Sequence, residues 1–142
     1  MNFVLDASVT MSWLLKDAAA REGAYPFAVL NCLGVAGTTA VVPATWGLEI
    51  ANVIVRCEAK GQVTEAQSES FLALLAGVEI AVDADTFSHV LSDTLQLARR
   101  YRLSSYDASY LELALRDGVP IATLDEDLRH AAGKAGVKLY KP

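Results

Sequence analysis

The stretch FVLDASV, residues 3–9, combines two features that conflict in a simple globular protein. Residues 3–5 form a short apolar run with the composition of a buried strand, and this run ends directly in Asp6. A carboxylate at the end of a buried strand is unfavourable unless it caps a helix, pairs with a cation or binds a metal. The sequence therefore predicts either a helix cap or a functional site at Asp6.

The overall composition predicts one domain over residues 1–142, because a chain of this length can bury a substantial core. Apolar residues make up 53% of the chain and charged residues only 20%, which is more apolar surface than one small core requires and favours a protein partner. The formal net charge of −5 argues against a general affinity for nucleic acid. A polyanion would have to be bound by a local basic patch or through a cation.

The sequence indicates a cytoplasmic protein without a membrane span. Cys32 and Cys57 have no metal-ligand spacing and are typical of small buried residues in a reducing compartment. The N-terminus has no basic leader segment, and Asp6 interrupts its first apolar run. Residues 24–48 are uncharged, but glycines and prolines divide them into shorter elements.

Short β-rich runs alternate with helical periodicity along the chain. The predicted strands cover residues 2–5, 40–42, 79–82, 120–123 and 137–140, and the predicted helices cover about 9–15, 23–33, 45–60, 64–77, 85–101, 104–117 and 126–133. This alternation predicts an α/β fold with a mostly parallel sheet covered on both faces. Functional sites in such sheets form at the carboxyl ends of the strands, where Asp6 is expected to lie.

Three further acids stand in unusual places, and the first is Glu49. It falls in the same apolar helical sector as Trp46 and Ile50 rather than on the solvated side. Two structural explanations stay open: a buried salt bridge with Arg56, or a position at the edge of the apolar stripe.

Asp107 is the second, because it shares an apolar helical face with Tyr110, whereas Glu112 points to the other face. Ser104 precedes Asp107 by three residues, so Asp107 could simply belong to a capping box. The third acid, Asp125, follows a predicted strand and is also a good N-cap.

The four acids together are harder to explain as caps. If the strands form one parallel sheet, the acids converge, and unpaired carboxylates at close range repel one another strongly. Carboxylate ligands without His or Cys favour Mg²⁺ or Mn²⁺, which can activate water for hydrolysis of a phosphodiester. The acids are Asp6, Glu49, Asp107 and Asp125, which we call the acidic quartet; Asp127 is a weaker alternative near the fourth position.

The stretches FVLDASV, WGLEIANVIVR, SSYDASYLELA and IATLDEDLRHAA, in this order, resemble the four acidic motifs of the PIN domain family, specifically its VapC-type ribonuclease toxins. The resemblance covers essentially the whole chain. It implies a three-layer α/β/α sandwich with a central, mostly parallel sheet, dependence on Mg²⁺ or Mn²⁺, and endonucleolytic cleavage of RNA. It also implies a cognate antitoxin protein and a homodimer.

Carried over position by position, the resemblance makes the acidic quartet catalytic and metal-binding. Ser8 in the D-x-S element and Thr123 in the T-x-D element would support the site by hydrogen bonding, and Asn52 matches a common asparagine after the helical Glu. Asp6, Asp107 and either Glu49 or Asp125 would hold the metal, directly or through water. The remaining acid would position or deprotonate the attacking water.

Candidate contacts beyond the metal come from two groups of residues. The basic candidates for RNA contact are Arg56, Lys60, Arg99, Arg100 and Arg102, although basic residues near helix ends also simply complement the dipole. The apolar candidates for protein contact are Trp13, Leu14, Leu15, Phe27 and Leu30, with core packing as the alternative. His89 and His130 lack partners at ligand spacing and are expected to be ordinary helix or surface residues.

Two other functions remain open at this stage: a PIN-type nuclease in RNA processing without a toxin role, and a noncatalytic metal-binding interaction module. A phosphatase with an Asp nucleophile would require D-x-D-x-[TV] after the first strand, and DASVT supplies only the first Asp.

Overall fold

The run that ends in Asp6 forms the inner strand of a parallel sheet. The structure, a computed structural model, describes residues 2–15 and 23–142. The strands are β1 (Asn2–Leu5), β2 (Thr39–Val42), β3 (Ile80–Val82) and β4 (Ile121–Ala122). They lie in the order β3-β2-β1-β4, and all three pairings are parallel. The carboxyl ends of β1 and β4 are therefore neighbours, since Leu5 pairs with Ala122.

Helices connect the strands as the alternating pattern predicts. They are α1 (Ala7–Ser12), α2 (Tyr25–Leu33), α3 (Trp46–Ala59), α4 (Glu65–Ala76), α5 (Thr86–His89), α6 (Leu95–Tyr101), α7 (Ser105–Asp117) and α8 (Glu126–Ala135), with a π-helical turn at Val90–Thr94 between α5 and α6. No helix in the described parts of the chain combines the length and hydropathy needed to cross a membrane.

Two cores lie on opposite faces of the sheet because successive side chains of β1 point in opposite directions. Phe3 and Leu5 pack with apolar residues of α1 to α4, whereas Val4 packs with residues of α7 and α8. All three side chains are fully buried. The predicted three-layer α/β/α sandwich with a parallel sheet is confirmed.

The sequence overestimates regular structure in two places. The predicted strand 137–140 forms only one isolated bridge, between Ile121 and Leu139, beside a β4 that is itself only two residues long. The predicted helix 85–101 is interrupted by the π-helical turn at Val90–Thr94, whose single extra residue per turn leaves no clear mark in the apolar periodicity.

Two of the apolar residues proposed for protein contact belong to the core instead. Trp13 and Leu14 are each only 8% exposed, and the indole Nε1 of Trp13 donates a hydrogen bond to the carbonyl of Pro26 at 2.7 Å. Leu15 and Leu30 are partly buried against the same core, whereas Phe27 is 40% exposed. Among these five, Phe27 presents the most surface to a partner.

The Phe3 side chain offers a direct test of the central packing. It is fully buried and its ring stacks on Tyr140 with 3.9 Å between centroids. We expect Phe3→Ala to lower the free energy of unfolding by about 3–5 kcal/mol, because it removes buried area and leaves a cavity. Urea denaturation measures this change. Phe87→Ala, at a position that is 68% exposed, is the control and should change it by less than about 0.5 kcal/mol; equal effects would contradict this account.

Candidate functional site

Asp6 is the most deeply buried member of the acidic quartet. It directly follows β1, is 4% exposed, and its Oδ2 accepts hydrogen bonds from Ser8 Oγ at 2.6 Å and Thr123 Oγ1 at 2.7 Å. Burial raises the pKa of Asp6, although these two hydrogen bonds oppose the shift. Asp6 occupies the N-cap position of α1, as the cap interpretation predicts, but its side chain makes no capping hydrogen bond, so capping does not explain why this residue is a carboxylate.

Thr123 and Asp125 follow β4, the strand next to β1. Thr123 is fully buried, and its Oγ1 accepts a hydrogen bond from the backbone N–H of Asp125 at 3.0 Å. Asp125 is the N-cap of α8, since its Oδ1 accepts from the N–H of Leu128 at 2.8 Å. The capping role predicted for Asp125 is therefore confirmed, and its negative charge also raises the pKa of Asp6.

Glu49 projects from the first turn of α3 toward the same region. Its Oε1 accepts a hydrogen bond from the Tyr110 hydroxyl at 3.1 Å. Burial raises the pKa of Glu49 to about 7; the hydrogen bond from Tyr110 lowers it, and the charges of Asp6 and Asp107 raise it. The alternative of a salt bridge with Arg56 fails, because no ion pair among the described residues joins these two side chains and Arg56 is exposed.

Asp107 lies in the first turn of α7. Its backbone N–H donates to Ser104 Oγ at 3.1 Å, so the serine does cap this helix. The carboxylate nevertheless belongs to the quartet, because burial first, and then the charges of Asp125 and Asp6, raise the pKa of Asp107 to about 6. Asp127 is exposed, and its charge is the weakest of the causes that raise the pKa of Asp107.

The pKa values of Asp6, Glu49 and Asp107 are thus each raised in part by the charge of other quartet members, which places the four carboxylates in one electrostatic site. No basic side chain in the described residues appears among the causes that lower these pKa values. In the same residues, no three of the four bring carboxylate oxygens within 4.8 Å of one another. An oxygen-only, moderately open donor set fits a hard divalent cation that keeps several waters, such as Mg²⁺ or Mn²⁺.

The remaining predicted residues fall into two groups. Ser8 and Thr123 contact Asp6 as expected, whereas Asn52 and Arg56 are exposed on α3, one and two turns beyond Glu49. The exposed residues Arg99, Arg100 and Arg102 lie at or just past the end of α6, and no hydrogen bond or ion pair in the described ranges joins them to the quartet.

Tyr110 is the supporting residue that the sequence analysis did not identify as part of the site. It is fully buried on the α7 face that also carries Asp107, and its hydroxyl fixes Glu49. A signal was present, because a tyrosine in an apolar stripe requires a hydrogen-bond partner, and Glu49 was the unexplained acid of another apolar stripe.

One expectation about residues outside the quartet is wrong. His89 is not a residue without partners, because its Nδ1 lies 3.3 Å from Asp93 Oδ2 and 3.6 Å from Glu112 Oε1. Glu112 points away from Asp107 as expected, and on that face it is 4% exposed and paired with Arg116 through Oε1–Nε at 2.8 Å. The error on His89 arises because α6 and the π-helical turn cover this face of α7 and bring distant side chains together.

Comparison with known proteins adds two sequence matches and two structural matches. The sequence profile of the PIN domain matches residues 3–134. Ribonuclease VapC3 of Pyrobaculum aerophilum is 30% identical over 80 residues, which cover 56% of this chain and 61% of the relative, so the chain matches less than two thirds of that relative's length.

The structural matches concern the fold alone, because their sequence identities are low. The crystal structure of PAE2754 from Pyrobaculum aerophilum has a TM-score of 0.65 at 19% identity and covers 92% of this chain and 79% of that one. The crystal structure of VapBC2 from Rickettsia felis, bound to a DNA fragment from their promoter, has a TM-score of 0.68 at 13% identity. The match covers 99% of this chain and 98% of that one.

The raised pKa values predict how the stability of the metal-free chain depends on pH. The pKa values of Glu49 and Asp107 rise from ordinary values of 4.5 and 3.8 to about 7 and about 6 on folding. Between these limits the folded chain holds protons that the unfolded chain has released, so stability should fall as pH rises from about 5.5 to 7.5. Thermal unfolding in chelator measures this fall.

Glu49→Gln should reduce the slope of the unfolding temperature against pH, because it removes the group with the higher of these two pKa values. Glu69→Gln, at an exposed position on α4, is the matched control and should leave the slope unchanged. An unfolding temperature of the unaltered chain that rises over this pH range would contradict the assignment.

Proposed function

The chain belongs to the PIN domain family, and on that premise we propose that it is a metal-dependent endoribonuclease, the toxin of a type II toxin-antitoxin pair. One observation carries the proposal: Asp6, Glu49 and Asp107 have pKa values raised by burial and by one another's charge or that of Asp125. Acids held together at this electrostatic cost are typical of a catalytic centre rather than of helix caps. The similarity to Ribonuclease VapC3 supports the choice of RNA as substrate.

We propose that the acidic quartet binds Mg²⁺ or Mn²⁺. Asp6 and Asp107, together with Glu49 or Asp125, would hold the cation directly or through water. When bound, the cation supplies electrostatic stabilisation of the phosphodiester oxygens and of the leaving oxygen. Ser8 and Thr123 hold the Asp6 carboxylate in one orientation, because both hydroxyls donate to its Oδ2.

Glu49 is the acid best suited to exchange a proton with the attacking water. Its pKa of about 7 in the metal-free chain is near neutral pH, where a carboxylate is both sufficiently ionised and sufficiently basic. The water oxygen would bond to phosphorus as the bond from phosphorus to the leaving ribose oxygen breaks. Tyr110 keeps Glu49 oriented for this transfer through its 3.1 Å hydrogen bond.

RNA would approach along the exposed side of α3. Asn52, Arg56 and Lys60 are exposed there, beyond Glu49, and supply amide, guanidinium and ammonium donors for phosphate or base oxygens. We retain Arg99, Arg100 and Arg102 as weaker candidates because they lie at the end of another helix. The net charge of −5 favours a selective substrate over indiscriminate RNA binding.

We further propose that the chain acts in the cytoplasm as a single-domain homodimer that binds a cognate antitoxin protein. One of the structural matches is VapBC2 of Rickettsia felis, and this similarity supports an antitoxin as the partner of this chain. Exposed apolar side chains supply the area for two interfaces: Leu48 and Val55 on α3, and Val82, Phe87 and Leu91 around α5. A neighbouring gene for a small DNA-binding protein would distinguish this role from RNA processing.

Asp107→Asn tests the catalytic assignment. We expect cleavage of RNA at saturating Mg²⁺ to fall by at least about 100-fold, because the amide removes one negative charge from the site. Mapping the ends of total RNA after incubation measures cleavage and also identifies the site that is cut. An unchanged rate would refute the assignment and favour a noncatalytic module.

The control for that experiment is Asp117→Asn, at an exposed acid on the same helix. It changes the net charge equally and should retain full activity. Circular dichroism of both variants should match the unaltered chain, because neither position is in the apolar core.

Tyr110→Phe tests whether the hydroxyl orients Glu49 for proton transfer. Losing this oriented hydrogen bond should lower the rate of RNA cleavage at saturating Mg²⁺ by about tenfold or more, while the aromatic ring preserves the packing. A cleavage assay over a range of pH measures this rate. Tyr106→Phe, at a 57% exposed position on the same helix, is the control. Equal cleavage rates for the two variants would contradict a positioning role.

A further inference from the structure

A second cluster of metal-ligating side chains lies outside the acidic quartet. It borders a pocket of about 470 Å³ between the π-helical turn, α6 and α7. The lining residues are His89, Asp93, Gln96, Leu97, Arg100, Glu112, Leu115 and Arg116. None of the quartet residues belongs to this lining.

Three side chains of the pocket place ligand atoms close to one another. His89 Nδ1 is 3.3 Å from Asp93 Oδ2 and 3.6 Å from Glu112 Oε1, and one ligand atom from each residue lies within 4.8 Å of the other two. Ligands bound at about 2.0–2.2 Å to a tetrahedral zinc ion lie about 3.3–3.6 Å apart. The two distances from His89 Nδ1 therefore match the spacing that such an ion imposes, and the Asp93 and Glu112 ligand atoms lie within 4.8 Å of each other.

A hydrogen-bond network alone does not use this arrangement fully. A ring N–H at Nδ1 has one direction, so it can serve only one of the two carboxylates, and the 3.6 Å contact to Glu112 is too long for a good hydrogen bond. A cation at the common point would instead contact all three groups. The rival explanation is a protonated His89 that is attracted to both acids without binding a metal.

The charges around the pocket also favour an added cation. Asp83, Asp93 and Glu112 carry three negative charges, and the paired cation among them is Arg116, which binds Asp83 at 2.7 Å and Glu112 at 2.8 Å. With a neutral His89, these side chains keep a net charge of about −2. One of the negative charges is buried, because the Glu112 side chain is only 4% exposed. Arg100, which also lines the pocket, forms no ion pair with these acids within the residues described.

Arg116 does not exclude a metal from Glu112. Both of its contacts with Asp83 are short, at 3.0 and 2.7 Å, so this guanidinium is already largely neutralised. Arg116 Nε donates to Glu112 Oε1 at 2.8 Å and Nη2 donates to Oε2 at 3.1 Å, so the carboxylate is held in place while Oε1 keeps a second lone pair for a cation. Carboxylates that bind metals are commonly oriented by such outer hydrogen bonds.

We propose that His89, Asp93 and Glu112 form a second metal site, specific for Zn²⁺ or a similar borderline transition ion, that links the π-helical turn to α7. One nitrogen and two carboxylate oxygens suit such an ion better than Mg²⁺. With three protein ligands, such an ion would have a fourth position free for water or a small anion. This site goes beyond the proposed nuclease function and does not depend on it.

Counting zinc ions per chain tests the proposal. The full chain with Asp107→Asn, which weakens the quartet, should retain one tightly bound Zn²⁺ after equilibrium dialysis. Adding His89→Ala should remove this ion, and adding Asp93→Asn should weaken its binding by more than about tenfold. Asp93 has a side chain that is 71% exposed, so its substitution leaves the fold intact even if His89→Ala does not.

His130→Ala, in the same background, is the matched control because it removes the other histidine, which is exposed on α8. It should leave the bound zinc unchanged. Equal zinc content in the His89, Asp93 and His130 variants, or no zinc in any of them, would overturn the site and leave the protonated imidazole as the explanation. Either result is separate from the nuclease proposal, because His89→Ala alone should still cleave RNA with Mg²⁺.

Discussion

The buried carboxylate of Asp6 is the constraint on which the rest of the site depends. It ends a strand that is packed on both faces, so water cannot solvate it, and two hydroxyl donors reduce this cost without cancelling it. The fold adds further acids beside it instead of a lysine or arginine. Repulsion among these acids therefore destabilises the metal-free chain, and packing of the two apolar cores must offset this cost. A bound divalent cation would remove the repulsion.

The sequence predicted those parts of the site that violate a local pattern. Asp6 breaks an apolar run, Glu49 and Asp107 occupy apolar helical stripes, and Asp125 follows a strand. Each anomaly is visible within about ten residues, which is the range of helical and strand periodicity. The parallel sheet and the α/β layers followed from the alternation of elements for the same reason, and the errors were confined to element ends and to residues 90–94 and 137–140.

What the sequence did not predict depends on contacts between distant residues. Tyr110 and Glu49 are 61 positions apart, and Arg116 and Asp83 are 33 positions apart. The sequence places Glu112 on the face of α7 opposite Asp107, but it does not predict that α6 covers this face. Periodicity shows which face of one helix is apolar, but it does not show which polar side chain of another element will meet the remaining face.

Helix α7 connects the two electrostatic sites. Asp107 in its first turn belongs to the quartet, and Glu112 lies five residues later, about 7–8 Å along the helix axis. A cation bound to Glu112 would hold α7 against the π-helical turn and would thereby restrict the helix that positions Asp107. The two sites differ in chemistry, since the quartet offers only oxygens whereas the second cluster includes an imidazole nitrogen. Because hard and borderline ions prefer different donor sets, the same helix can respond to two cations without direct competition between them.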